Sequence, residues 1–146
     1  LPLPSILVID EAVRDEGTSL HYLPPSATVT TPTPALADLL AKELSALASP
    51  VRRGTVWTTD APYRETSDQL CWWADRGVLA VEMQAASLFA FAQARLADLG
   101  MVALVSNGVD QADGQFDTGG HEFRLAVLAA LARAARSYIH QRPQPG

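Results

Sequence analysis

The chain has 146 residues, 48% hydrophobic and 18% charged, a balance that suits one globular domain with a real core and excludes a disordered chain. Its formal net charge is -5, and its densest basic spots are Arg52-Arg53 and the Arg133/Arg136 pair. That excludes a nucleic-acid binder, because phosphate contacts need clustered cations. Cys71 is the only cysteine, so no intrachain disulfide forms and a cytoplasmic location is expected. No apolar run reaches the ~18 residues of a membrane span, and no membrane partner is expected.

Along the chain, Ile6 to Ile9 is a short β-branched run that predicts a buried strand. It begins almost at Leu1, with no initiator Met and no basic leader, and is read as continuing from something longer. A polar loop is expected through Arg14-Asp15-Glu16-Gly17-Thr18-Ser19. Thr33-Pro34 then opens a helix to Ala48, in which Leu36, Leu39, Leu40, Leu44 and Leu47 form an apolar stripe and which Pro50 closes. Val51 to Thr59 alternates and predicts a strand, followed by the loop Asp60-Ala61-Pro62-Tyr63-Arg64-Glu65.

Thr66 or Ser67 caps a helix to Asp75, stopped by Gly77. Within it, Leu70-Cys71-Trp72-Trp73 is apolar, so Cys71 is expected to be packed and inert. Val78 to Val81 predicts a buried strand, Met83 to Leu99 a small-residue helix ended by Gly100, and Met101 to Val105 another buried strand. Ser106 to Gly120 is a glycine-rich loop. The last helix runs from about Glu122 to Ile139, before a disordered-looking tail over residues 142–146. Strand and helix alternate, and the strands are short and apolar on both sides. The expected fold is α/β, with helices on both faces of a largely parallel sheet. Chemistry then belongs in the loops after Thr59, Val81 and Val105.

Four segments carry chemical content. In Val81-Glu82-Met83-Gln84-Ala85-Ala86 a buried strand turns directly into a helix, whose N-terminus favours a carboxylate. Glu82 and Gln84 offer acceptors for sugar hydroxyls, and Met83 an apolar surface under a ring. By spacing alone, helix capping plus a core methionine explains the segment better. Tyr63 and Arg64 offer an aromatic face and a guanidinium for a flat heteroaromatic base, against a tight turn with an Arg–Glu pair. In Val105-Ser106-Asn107-Gly108-Val109-Asp110, the Asn107 amide can both donate to and accept from a purine edge, although Asn-Gly alone reads as a turn. Val13 to Tyr22 suits a ligand, a subunit contact or plain solvent. The three histidines lack metal-ligand spacing, and no P-loop, GxGxxG or GxSxG pattern occurs.

In this order the four segments resemble the purine and uridine phosphorylase family, which includes hydrolytic nucleosidases. Val81-Glu82-Met83-Gln84-Ala85-Ala86 is similar to the family's V-E-M-E-A-A signature, and Thr59-Asp60-Ala61-Pro62-Tyr63 to its base-binding strand end. Val105-Ser106-Asn107 is similar to its V-S-D catalytic segment, and Val13 to Tyr22 to a stretch of its uridine-type members. The resemblance implies a three-layer α/β/α sandwich with a mixed, largely parallel central sheet. Residues 1–141 would form the C-terminal portion of a nucleoside phosphorylase domain whose N-terminal strands are missing. It further implies phosphorolysis of a purine or uridine nucleoside to free base and (deoxy)ribose 1-phosphate by a pentosyltransferase. Such enzymes serve nucleoside metabolism and salvage. Nucleoside and phosphate are the partners; phosphate is a co-substrate, no cofactor or metal is implied, and homo-oligomers (dimers or hexamers) are expected.

Carried over by position, Glu82, Met83 and Gln84 hold the sugar, Tyr63, Arg64 and Ser106 the base, and Asn107 and Arg124 the catalytic step. Three positions depart from the family pattern. Gln84 replaces a glutamate, Asn107 replaces the acidic proton donor, and Pro62 replaces a stacking aromatic. The family's glycine-rich phosphate loop and its arginines are absent from the sequence. A hydrolytic nucleosidase and a non-catalytic nucleoside-binding relative are therefore the alternatives.

Overall fold

A computed structural model describes residues 4–106 and 119–142. Its elements run β1 (Ser5–Asp15), β2 (Thr28–Thr30), α1 (Pro34–Leu44), β3 (Val51–Thr59), α2 (Ser67–Ala74), β4 (Val78–Glu82), α3 (Ala85–Arg95), β5 (Met101–Val105) and α4 (His121–Gln141). Single 3-10 turns follow β1 at Thr18–His21 and β3 at Pro62–Arg64.

β1 is the spine of a five-stranded mixed sheet. One edge carries β3 in parallel, and β3 in turn carries β4 in parallel. The other edge of β1 is shared by two antiparallel strands, β5 along Ser5 to Ile9 and β2 along Glu11 to Val13. The longest ladder, β1 with β3, is parallel, as the strand–helix alternation predicts. β1 also runs well past the predicted strand, through a register shift between Ile9 and Glu11, into residues expected to be loop. Pairing on both edges holds that extension. β2 has only Val29 buried, too little pattern to be read from sequence.

The alternation along β1 divides two cores. Ile6 and Val8 point to one face, where they pack with Ala37, Leu40 and Leu44 of α1 and Val127, Ala130 and Ala134 of α4. Leu7, Ile9 and Ala12 point to the other, against Ala85, Ala86 and Phe89 of α3. The result is the expected three layers, α/β/α. Gly100 sits where the chain passes under α1; a Cβ there would lie 2.6 Å from Leu40 Cδ1.

Three local expectations change. Every residue of β4 and of β5 is only half-buried. Among the described strands each is paired along one edge alone. Cys71 is exposed, because α2 buries no residue and meets the sheet chiefly where Trp73 leans on Trp57 at 5.9 Å. α3 ends earlier than Gly100, at Leu96 in left-handed backbone with φ 52°. There the Leu96 and Ala97 N–H groups close back onto Gln93 and Ala92.

Candidate functional site

The carboxyl ends of β1, β3 and β4 lie together, since Asp15 is in register with Thr59 and Thr58 with Glu82. At this end the Glu82 carboxylate is fully engaged. One oxygen accepts the Thr58 hydroxyl. The other accepts the backbone N–H groups of Gln84 at 2.6 Å and Ala85 at 2.8 Å, which open α3. Thr58, fully buried, in turn accepts the Ala86 N–H at 3.0 Å. Glu82 thus caps α3, which is half of the reading that spacing alone favours; the other half, a core methionine, does not hold, because Met83 is exposed.

Pinning Glu82 turns the next two side chains outward. Met83 is 52% exposed. Gln84 is exposed too, and its amide makes no hydrogen bond to the described residues. An apolar thioether and a free amide therefore stand side by side at the mouth of the strand-to-helix turn.

Tyr63 and Arg64 occupy the 3-10 turn at the end of β3. Tyr63 is 86% exposed, whereas Arg64 reaches back to Asp15 at 3.4 Å. Asp15 is fixed from below by the indole N–H of buried Trp57 at 3.1 Å. Beside this pair lies an open groove of about 640 Å³, walled by Arg14, Asp15, Arg64, Trp72 and Trp73. The Trp73 indole N–H is buried there without a hydrogen-bond partner among the described residues.

The Val13–Tyr22 segment is a folded scaffold for this end of the sheet. Arg14 donates to Ser19 Oγ, to the carbonyls of Leu23 and Pro24 and to Ser26 Oγ, drawing the loop after β1 back on itself. Glu16 accepts the Ser19 N–H at 2.9 Å and the Ser87 hydroxyl of α3 at 2.8 Å. Burial pushes the Glu16 carboxyl up, but hydrogen bonds from Ser19, Ser87 and Thr18 outweigh it and hold it below the ordinary carboxylate value. Asp60 accepts the Gly17 N–H at 3.1 Å. Thr58 and Ser87 had no sequence signal, and Asp15 and Glu16 had only their place in the Val13–Tyr22 segment; the strand register and the α3 contact give all four their positions.

The remaining predicted residues stand elsewhere. Val105 is in register with Ser5, so Ser106 lies at the opposite end of β1 from Asp15. α4 runs back along β5, since Tyr138 donates to Asp98, just ahead of β5, at 2.8 Å. Exposed Arg124, in its first turn, therefore belongs to the Ser106 end. Asn107 lies outside the described residues. The structure thus brings Tyr63, Arg64, Glu82, Met83 and Gln84 to one pole of the sheet, and Ser106 and Arg124 to the other. No group of three or more His, Cys, Asp or Glu suited to a metal occurs among the described residues.

The family model of the phosphorylase superfamily matches residues 1–140, which hold the whole of this α/β/α sheet and its glutamate-capped strand-to-helix turn. The chain belongs to that superfamily. Among solved structures it is similar to uridine phosphorylase from Vibrio fischeri ES114, with a TM-score of 0.75 and 26% identity. That match covers 93% of this chain and 58% of the uridine phosphorylase, so the chain spans little more than half of its relative's length. No curated protein sequence matches it. No described helix is long and apolar enough to cross a membrane.

Proposed function

We propose that this chain supplies the sugar- and base-binding side of a nucleoside phosphorylase, which cleaves the N-glycosidic bond of a purine or uridine nucleoside with phosphate. The observation that carries this reading is the Glu82 cap, which presents Met83 and Gln84 together at the carboxyl edge of the sheet. Met83 gives the furanose an apolar floor, and the Gln84 amide meets a sugar hydroxyl. The groove of Arg64, Trp72 and Trp73 supports a base subsite, since a flat heteroaromatic ring needs π surface and donors to its ring oxygens.

In the reaction, a phosphate oxygen bonds to C1′ as the C1′–N bond breaks, and the base leaves with the bonding pair and takes a proton. Positioning and electrostatics are the protein's contribution. The family's phosphate loop is not in this sequence, and the catalytic roles of Asn107 and Arg124, like the base contact of Ser106, are carried by resemblance alone.

Hydrolysis fits less well. Activating water needs a free carboxylate, and both Glu82 oxygens are committed to hydrogen bonds while position 84 is an amide. A non-catalytic nucleoside binder is the second reading, favoured by that same amide. The deciding experiment is a coupled assay with inosine and uridine, with and without phosphate, beside calorimetric titration of each nucleoside. Phosphate-dependent base release establishes the phosphorylase. Binding without release establishes the non-catalytic relative, and the absence of both binding and release overturns the proposal.

A further inference from the structure

The helix α4 has two apolar faces, and only one is used. Val127, Ala130 and Ala134 are buried against α1 and the sheet. On the opposite side, Leu125, Leu128, Ala132, Ala135 and Ile139 are all exposed, Leu125 at 51%, Leu128 at 60% and Ile139 at 64%. Their alternating spacing of three and four residues keeps them in one straight seam along a helix of 21 residues. A surface helix normally turns charge to the side opposite its core. Here the charges stand only on the flanks of the seam.

We infer that this seam is the contact face for α4 of a second copy of the chain, packed antiparallel about a twofold axis. Side-chain volumes favour that orientation. Antiparallel packing sets Leu125 against Ala135 of the second copy and Leu128 against its Ala132, so each large side chain meets a small one and the helices approach closely. Parallel packing would set leucine on leucine and alanine on alanine, leaving voids at the alanines.

The charges agree. The antiparallel register brings Glu122, at the start of α4, beside Arg136 of the second copy, and the symmetry makes this pair twice. Both residues are exposed, and neither forms an ion pair with the described residues. Arg133, on the same flank, is already taken by Glu43 of α1 at 2.8 Å. One helix pair falls short of the roughly 1,200 Å² at which stable interfaces begin. The dimer is therefore weak and reversible.

The test is sedimentation equilibrium of the 146-residue chain from about 1 µM to about 1 mM, a range spanning weak association. The expected result is a concentration-dependent dimer. L128E should weaken it more than about tenfold by burying an unpaired carboxylate. E122R should weaken it several-fold, and E122R/R136E should restore it, since the swap recreates the pair across the axis. All three substitutions are at exposed positions, so circular dichroism should confirm unchanged folding. A monomer at every concentration overturns the proposal. So does a dimer that L128E leaves intact, which would place the contact elsewhere, for instance on the edge of β4 that no described strand pairs.

Discussion

The Thr58 hydroxyl donates to the Glu82 carboxylate, and this one bond ties the end of β3 to the strand-to-helix turn that follows β4. The same hydroxyl accepts the Ala86 N–H, so a single buried atom serves both the cap and the first turn of α3. Replacing it with a methyl leaves a carboxylate oxygen and a backbone N–H short of a partner. Thr58→Val should therefore lower stability by about 2–3 kcal/mol in urea unfolding. Thr58→Ser, which keeps the hydroxyl, should cost about 1 kcal/mol or less. Equal losses in the two variants would show that the methyl, not the hydroxyl, matters there.

Glu16 makes the fold sensitive to acid. Its carboxylate is stabilised in the folded chain by Ser19 and Ser87, so its folded value lies below the ordinary one of about 4.5. A depressed folded value means that the unfolded chain binds the proton more readily. The contribution is complete above pH 4.5 and is lost as pH falls through the lowered folded value. Glu16→Gln should flatten the acid limb of a stability-versus-pH curve below about pH 4.5, with little slope change at neutral pH. Ser87→Ala should flatten it part of the way. An acid limb unchanged in Glu16→Gln would assign that limb to other carboxylates.

Much of the architecture is legible in the sequence because helices and parallel strands are patterned locally. The leucine stripe of α1 and the apolar runs of β3, β4 and β5 each announce themselves within a dozen residues. What stays hidden is set by long-range register. The extension of β1 to Asp15 depends on β2 and β3 holding a polar segment from both sides. Cys71 sits in a run that looks like core, yet α2 is too short to bury more than one side of its tryptophan pair. At the candidate site, sequence order places Ser106 and Glu82 in equivalent loops after strands. Only the antiparallel direction of β5 shows that these loops open at opposite poles.

The end of α3 carries a local conflict that a single substitution should relieve. Leu96 adopts φ 52° while its side chain is 96% exposed, so it bears the cost of left-handed backbone with no packing in return. Glycine takes this position in most helices that end this way. Leu96→Gly should raise the unfolding free energy by about 1 kcal/mol, after allowing for the greater freedom of glycine in the unfolded chain. Thermal unfolding followed by circular dichroism reads the change directly. A fall in stability would mean that Leu96 gains more from contacts than the backbone loses.

Gln84 offers the sharpest test of the sugar site, because its amide stands free at the mouth of the turn beside Met83. A carboxylate at that position would accept a sugar hydroxyl through a charge-assisted bond, about 1 kcal/mol or more stronger than the neutral one. Gln84→Glu should then tighten nucleoside binding roughly five- to tenfold in calorimetry. The side chain is exposed, so Glu82 only two residues away adds modest, salt-screened repulsion that should weaken the gain at low ionic strength. Met83→Ala, which removes the apolar floor, should loosen binding without altering that salt dependence. If Gln84→Glu leaves the affinity of inosine and of uridine unchanged, the sugar does not sit at this turn, and Glu82 acts there only as the cap of α3.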